Sequence, residues 1–194
     1  MAPTAGQLLA KVKMCRRISN GRYATDDGGK RSIAVCGGVT GAVFWKADMD
    51  IDCDGVVSAR CNENTDPSFL PGTALEPGGT PLNAETTQYM VIPQGSATFN
   101  YGKRNIKLGA AVAIIFRGKL TYAVFGDTGP KSIIGEASYA TAGSLGIDPD
   151  PATGGADSGV TYIVFRGTKV ANPHSNASIA SAGQAAAAKF LASN

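Results

Sequence analysis

Hydrophobic residues recur along the chain in short runs that are typical of β-strands rather than of long amphipathic helices. Strand-like runs occupy residues 41–46, 88–92, 110–116, 120–125 and 160–165. The third and fourth runs flank Arg117-Gly-Lys119, and this arrangement predicts a β-hairpin. The pattern therefore predicts about six core strands in one compact domain over residues 1–194.

Helical spacing is confined to three segments. Leu8, Leu9 and Val12 indicate a short amphipathic helix over 6–15. A second short helix is expected over 138–145, and an alanine-rich helix over 178–191. Residues 19–29, 62–83 and 148–159 are polar or rich in Gly and Pro, so we expect loops there.

Glycine and proline support a mainly β fold. The 194 residues include 25 Gly and 10 Pro, which favour many tight turns between short elements. No internal repeat or domain linker is evident. The glycine and proline content and the absence of a linker thus predict a single β-rich domain.

Four cysteines, Cys15, Cys36, Cys53 and Cys61, lie in the first third of the chain. They form no CxxC motif, and a single histidine argues against a Cys/His zinc site. Two disulfides fit better and imply an oxidising compartment. Of three pairings we expect the most local, Cys15–Cys36 with Cys53–Cys61, while four reduced core cysteines remain the alternative.

Charge is distributed unevenly. Seven basic residues in 11–31 carry little aromatic interleaving, so we expect a solvated basic face and no nucleic-acid partner. Residues 48–66 contain six acids against Arg60 alone, a field that attracts a cationic ligand. No apolar stretch is long enough to span a membrane, and the start Met1-Ala-Pro-Thr has no leader pattern, so we expect a mature secreted protein.

The single histidine limits the candidate chemistry. His174 lies in the turn-like Asn172-Pro-His-Ser175, so we expect it in a surface loop. A Ser-His-Asp or Cys-His site needs an imidazole base at the nucleophile. Carboxylates or a metal are then the remaining sources of catalysis.

Asp50-Ile-Asp52-Cys-Asp54-Gly55 matches the first half of an EF-hand loop. The twelfth position is Cys61 rather than Glu, so we do not expect an EF-hand, although a calcium site of another design stays open. Strand alternation would instead place Asp50, Asp52 and Asp54 on one face, where a protonated amino sugar could offset their repulsion. An Asp-rich turn beside a disulfide is the structural alternative.

A second pair of acids is Asp127 and Glu136. Asp127 ends an apolar strand, and Glu136 begins the next element after two isoleucines. Two carboxylates are what hydrolysis of a glycosidic bond requires. The alternative is that Asp127 caps a turn and Glu136 begins a helix.

The motifs Asp48-Met-Asp-Ile-Asp-Cys-Asp-Gly55, Phe125-Gly-Asp-Thr-Gly129 and Gly135-Glu-Ala-Ser138 together resemble those of the glycoside hydrolase family 75 chitosanases. The resemblance implies endo-hydrolysis of β-1,4-linked glucosamine in chitosan, with inversion, and with Asp127 and Glu136 as the catalytic pair. Glu136 is then the expected general acid and Asp127 the general base, although the order could be reversed. The segment after Asp127 is also similar to double-psi β-barrel proteins, which implies a six-stranded double-psi-type barrel with peripheral short helices.

The resulting expectation is a secreted, monomeric endo-chitosanase without cofactor or metal, whose Asp50, Asp52 and Asp54 bind substrate. Two alternatives stay open. One is a non-catalytic barrel that binds cell-wall polysaccharide, and the other is a calcium-stabilised extracellular module built on the same three aspartates.

Overall fold

Strands contribute more residues than α-helices to the structure of the described chain. The computed structural model describes residues 2–194. Met1, on which part of the expectation about the start of the chain rests, lies outside the described residues. The strands are Arg16–Arg17 (β1), Cys36–Gly37 (β2), Ala42–Asp52 (β3), Tyr89–Pro93 (β4), Ala111–Phe116 (β5), Lys119–Gly129 (β6), Glu136–Ser138 (β7) and Ala156–Phe165 (β8). The α-helices are Ala5–Lys11 (α1), Tyr139–Leu145 (α2) and Asn176–Ala192 (α3).

Six of these strands close into a barrel. Their order is β3-β7-β4-β6-β5-β8, and β8 pairs back onto β3. The pairs β3–β7 and β4–β6 are parallel, whereas the other barrel pairs are antiparallel. The predicted mainly β class, the six-stranded barrel and the peripheral helices are confirmed.

The predicted hairpin is formed by β5 and β6. Their register runs from Ala111 opposite Val124 to Phe116 opposite Lys119. Arg117 and Gly118 make the turn, with φ angles of 46° and 81°. Two consecutive residues of positive φ suit the twist of a two-residue hairpin loop. Lys119 belongs to β6, so the loop is one residue shorter than the three residues that the sequence indicated.

Both faces of the strands are buried. Phe44, Tyr89 and Val91 belong to a cluster that includes α1 and α3, through residues such as Leu8 and Phe190. The alternate strand residues form a second cluster that includes Trp45 stacked on Tyr162, with ring centroids 5.5 Å apart. This double burial explains why the strands read as apolar runs rather than as a regular polar–apolar alternation.

Several predicted boundaries were wrong. Helix α1 ends at Lys11 rather than at residue 15, because Cys15 is bonded to Cys36 and Arg16 already pairs with Gly37. Strand β3 continues past residue 46 to Asp52, since β7 and β8 both pair with it. Strand β8 begins at Ala156, inside the segment expected to be a loop.

Two disulfides join Cys15 to Cys36 and Cys53 to Cys61, so the predicted pairing is confirmed. The Cys53–Cys61 disulfide closes a short loop directly after β3. Within residues 2–194, no helix has the length and apolarity needed to cross a membrane.

Candidate active site

Four residues form one row across the sheet. Asp50 of β3 pairs with Glu136 of β7, Glu136 pairs with Val91 of β4, and Val91 pairs with Asp127 of β6. Directly paired residues on neighbouring strands project to the same face. The barrel therefore brings together Asp127 and Glu136, the two predicted catalytic residues, and adds Asp50 beside Glu136.

An irregularity in β6 sets the position of Asp127. The β4–β6 register shifts at this point, because Met90 pairs with Phe125 while Val91 pairs with Asp127, which leaves Gly126 unpaired. A Cβ atom on Gly126 would lie 2.6 Å from Leu82 Cδ1 and 2.7 Å from Tyr89 Cβ. Only glycine fits this bulge, and the bulge directs Asp127 to the same face as Val91.

Asp127 is held by two backbone donors. The amides of Ala74 and Thr128 donate to its Oδ1 at 2.8 Å and 2.7 Å, and the residue is 7% exposed. Burial raises the pKa of Asp127, whereas these two hydrogen bonds oppose the rise by stabilising the carboxylate.

Glu136 lies among other acids. Burial, followed by the charges of Asp50, Asp54, Asp127 and Asp66, raises its pKa to about 8. Its carboxyl group packs beside Gly129, where a Cβ atom would lie 3.0 Å from Glu136 Oε2. At neutral pH Glu136 is therefore mostly protonated, and further acids surround it.

Asp52 is the most deeply held of the three predicted binding aspartates. It is 6% exposed, and its Oδ1 accepts hydrogen bonds from the Tyr89 hydroxyl at 3.0 Å and from the Asp54 amide at 2.6 Å. Burial, and then the charge of Glu136, raises the pKa of Asp52 well above its usual value. The charge of the candidate acid Glu136 thus influences the protonation of Asp52.

Asp54 lies beyond the end of β3, so the prediction that the strand places all three aspartates on one face is wrong for this residue. The Cys53–Cys61 bond turns the chain there, and the Leu70 amide donates to Asp54 Oδ1 at 2.7 Å. Burial raises the pKa of Asp54 to about 6.

Carboxylate oxygens of Asp52, Asp54 and Asp127 lie within 4.8 Å of one another, close enough to share one cation. This grouping differs from the Asp50, Asp52 and Asp54 set that alternation suggested, because Asp50 lies beside Glu136 instead. An ammonium group or a metal ion suits three such oxygens.

Sequence patterns missed several residues of the site. Tyr89 donates to both Asp52 and the backbone oxygen of Asp54, the latter at 2.9 Å, yet it lies far from both along the chain. Val91 pairs with both acids, and Gly129 lies beside the Glu136 carboxyl group, only because the barrel closes. His174 is exposed, as expected, with Nε2 3.4 Å from the Pro77 carbonyl oxygen.

Comparison with known proteins decides the family. A family model described as fungal chitosanase of glycosyl hydrolase group 75 matches residues 49–193, about three quarters of the chain. The chain belongs to glycoside hydrolase family 75. The matched segment of this family 75 protein contains Asp50, Asp52, Asp54, Asp127 and Glu136.

Curated relatives of this family 75 protein are fungal. It is 33% identical over 181 residues to endo-chitosanase C of Aspergillus oryzae, covering 89% of this chain and 45% of the relative. Endo-chitosanase B of the same species is 30% identical over 154 residues, covering 71% and 64%. An endo-chitosanase of Aspergillus fumigatus is 28% identical over 144 residues, covering 68% and 60%. The chain therefore spans about half the length of the first of these relatives and under two thirds of the others.

Proposed function

We propose that this protein is an endo-chitosanase that hydrolyses β-1,4-linked glucosamine with Asp127 and Glu136 as its catalytic pair. The observation that carries the proposal is the row in which these two acids flank Val91. Family membership and the names of the relatives support the substrate. One catalytic domain over residues 1–194 is part of the proposal.

The different environments of the two acids support distinct roles. Glu136, with a pKa of about 8, retains a proton that it can donate to the leaving glycosidic oxygen. Asp127 has two backbone amides that favour its carboxylate form, which suits a base that takes a proton from water. Water then forms the new bond to the anomeric carbon as the bond to the leaving oxygen breaks.

The spacing of the strands favours inversion. Asp127 and Glu136 are separated by β4, which means two strand spacings of about 4.8 Å each, or roughly 10 Å between backbones. Inverting glycosidases hold their carboxyl groups about 6.5–9.5 Å apart to admit water, and retaining enzymes about 5 Å apart. The register supports the wider arrangement.

The remaining acids make the site suitable for binding a polycation. Asp50 is exposed, while Asp54 is only partly buried, so both can approach the ammonium groups of glucosamine. Asp52, which is 6% exposed, is available to such a cation only in its ionised form. Substrate binding by Asp50, Asp52 and Asp54 is therefore included in the proposal.

A cavity beside these acids offers apolar surface for a sugar ring. It has a volume of about 410 Å³ and is lined by Val57, Glu63, Phe69 and Pro71, among others. Leu70, between the last two, donates its amide to Asp54, so the cavity adjoins the acidic site.

We also infer that the protein acts outside the cell, and as a monomer. The two disulfides support an oxidising compartment. Chitosan is its expected partner, and no cofactor enters the mechanism.

Release of reducing ends from chitosan, chitin and cellulose, assayed in parallel, tests the proposal. We expect release from chitosan and little from the two uncharged polymers. Binding of chitosan without new reducing ends would favour a non-catalytic polysaccharide-binding barrel instead. NMR of the first product formed should show the α-anomer, because inversion at a β-linkage produces it, and an initial β-anomer would contradict inversion.

A further inference from the structure

Asp50 occupies a defined position beside the candidate acid. It pairs directly with Glu136 across the parallel strands β3 and β7, and its amide donates to the Gly135 carbonyl oxygen at 2.7 Å. Paired residues on adjacent strands have Cβ atoms about 5 Å apart on the same face. The backbone therefore fixes two acidic side chains next to each other.

We propose that Asp50 is a positioning residue that keeps the catalytic proton on Glu136 until the glycosidic oxygen accepts it. The inference rests on the proposed function, because it concerns the same proton. It gives Asp50 a part in the reaction beyond contact with substrate. Like charges directly opposite in a sheet are destabilising, so this pairing favours the state in which one of the two acids keeps its proton.

Three strands and one loop near Glu136 contribute acids or a phenol. Strand β3 supplies Asp50 and Asp52, the loop that follows it supplies Asp54 and Asp66, β6 supplies Asp127, and β8 supplies Tyr162. Within residues 2–194, no basic side chain is among the groups that shift the pKa of Glu136. The pKa of Glu136 is therefore raised first by burial and then by these neighbouring acids.

Asp50 differs from these other acids in its exposure to solvent. Asp52 is buried and bonded to Tyr89, Asp54 accepts the Leu70 amide, and Asp127 accepts two amides. Asp50 is exposed to solvent, although partial burial, followed by the charge of Asp26, raises its own pKa as well. Among the charges around Glu136, that of Asp50 raises its pKa the most.

Protonated Glu136 is what the reaction consumes. As the glycosidic bond breaks, the O–H bond of Glu136 breaks and a new O–H bond forms on the leaving oxygen, which leaves a glutamate anion. That anion lies beside the Asp50 carboxylate, so it regains a proton from water readily. Removal of the Asp50 charge weakens this tendency and strengthens Glu136 as an acid.

The test compares Asp50→Asn with Asp50→Glu, which keeps the charge, and with Asp157→Asn, which removes an exposed charge from β8. Titration of the Glu136 side-chain carboxyl by ¹³C NMR requires no activity. We expect Asp50→Asn to lower its midpoint by on the order of one pH unit. Asp50→Glu should preserve the midpoint, and Asp157→Asn should move it less than Asp50→Asn does. Asp50→Ser serves as a second charge-removing variant should the amide perturb folding.

The kinetic counterpart is the pH profile of kcat/KM on chitosan oligomers. The alkaline limb of Asp50→Asn should shift to lower pH by the same amount, and Asp50→Glu should restore it. A Glu136 midpoint unchanged in both Asp50→Asn and Asp50→Ser would overturn the inference. So would a raised KM with an unmoved alkaline limb, because Asp50 would then act only on substrate. An inactive wild-type protein whose Glu136 midpoint still shifts would refute the proposed function alone.

Discussion

Asp127 and Glu136 pair with opposite sides of strand β4 at a single residue, Val91. Residues nine positions apart in sequence are thus separated by a whole strand. Because β4 is central between β6 and β7, the distance between the two acids is set by backbone hydrogen bonds rather than by flexible loops. Catalysis by two carboxylates depends on such fixed distance and orientation.

The close approach of Gly129 to Glu136 can be tested by adding one methyl group at Gly129. A Cβ atom at Gly129 would lie 3.0 Å from Glu136 Oε2 and 3.1 Å from Val91 Cγ1. We expect Gly129→Ala to displace the Glu136 carboxyl and to lower kcat about tenfold or more, with a small change in melting temperature. Gly143→Ala is the matched control, since its Cβ atom meets nothing within 4 Å. Equal kcat values for both variants would contradict the contact.

The two disulfides should differ in their effect on activity. Replacement of Cys53 and Cys61 by Ser opens a short loop and is expected to cost about 2.5 kcal/mol in the free energy of unfolding. Replacement of Cys15 and Cys36 opens a longer loop and should cost about 3 kcal/mol. Only the first change releases the segment that holds Asp54, so only it should lower kcat/KM of the folded protein.

Denaturant unfolding with turnover measured below the transition tests this difference. If the Cys15/Cys36 variant lost activity as severely as the Cys53/Cys61 variant while folded, the link between Asp54 and the second bond would be refuted.

Stability should fall as pH rises. The pKa of Glu136 is raised from 4.5 to about 8 and that of Asp54 from 3.8 to about 6, so the folded protein binds protons more tightly than the unfolded chain. Their contribution is complete below about pH 4 and is lost as pH rises through about 6 and then 8. We expect a lower melting temperature at pH 9 than at pH 5, and a smaller difference in Glu136→Gln. A melting temperature that increased over this range would rule out the raised pKa values.

The acids near Asp127 also allow a test of the calcium alternative. Oxygens of Asp52, Asp54 and Asp127 are close enough to share a cation, and the proposed function assigns that cation to the substrate. We expect EDTA to leave melting temperature and turnover unchanged, with added CaCl₂ as the control. A loss of stability on chelation that calcium reverses would favour a calcium-stabilised module.

Local sequence patterns were sufficient for much of the fold. The β5–β6 hairpin was predicted because two apolar runs flank a turn, and both disulfides were predicted from proximity along the chain. Strand β7 was missed, because Glu136–Ser138 is three residues long and becomes a strand only by pairing with β3 and β4. A strand of that length leaves no periodic signal.

The candidate site was predictable only in part. Asp127 and Glu136 could be chosen from motifs, but their neighbours depend on barrel closure. Asp50 lies beside Glu136 because β3 and β7 are parallel, and Tyr89 reaches Asp52 across the sheet. Neither relationship follows from alternation along one strand, which had grouped Asp50 with Asp54.

The most direct test of the central claim is the turnover of Asp127→Asn and Glu136→Gln on soluble chitosan, measured as reducing ends. Each change keeps the shape of the side chain and removes its ability to accept or donate the catalytic proton. Asp27→Asn, in an exposed loop, is the control. We expect both single variants to fold normally and to lose at least about 10²–10⁴-fold in kcat, with Asp27→Asn unaffected. Near-normal turnover by either catalytic-pair variant would contradict the assignment.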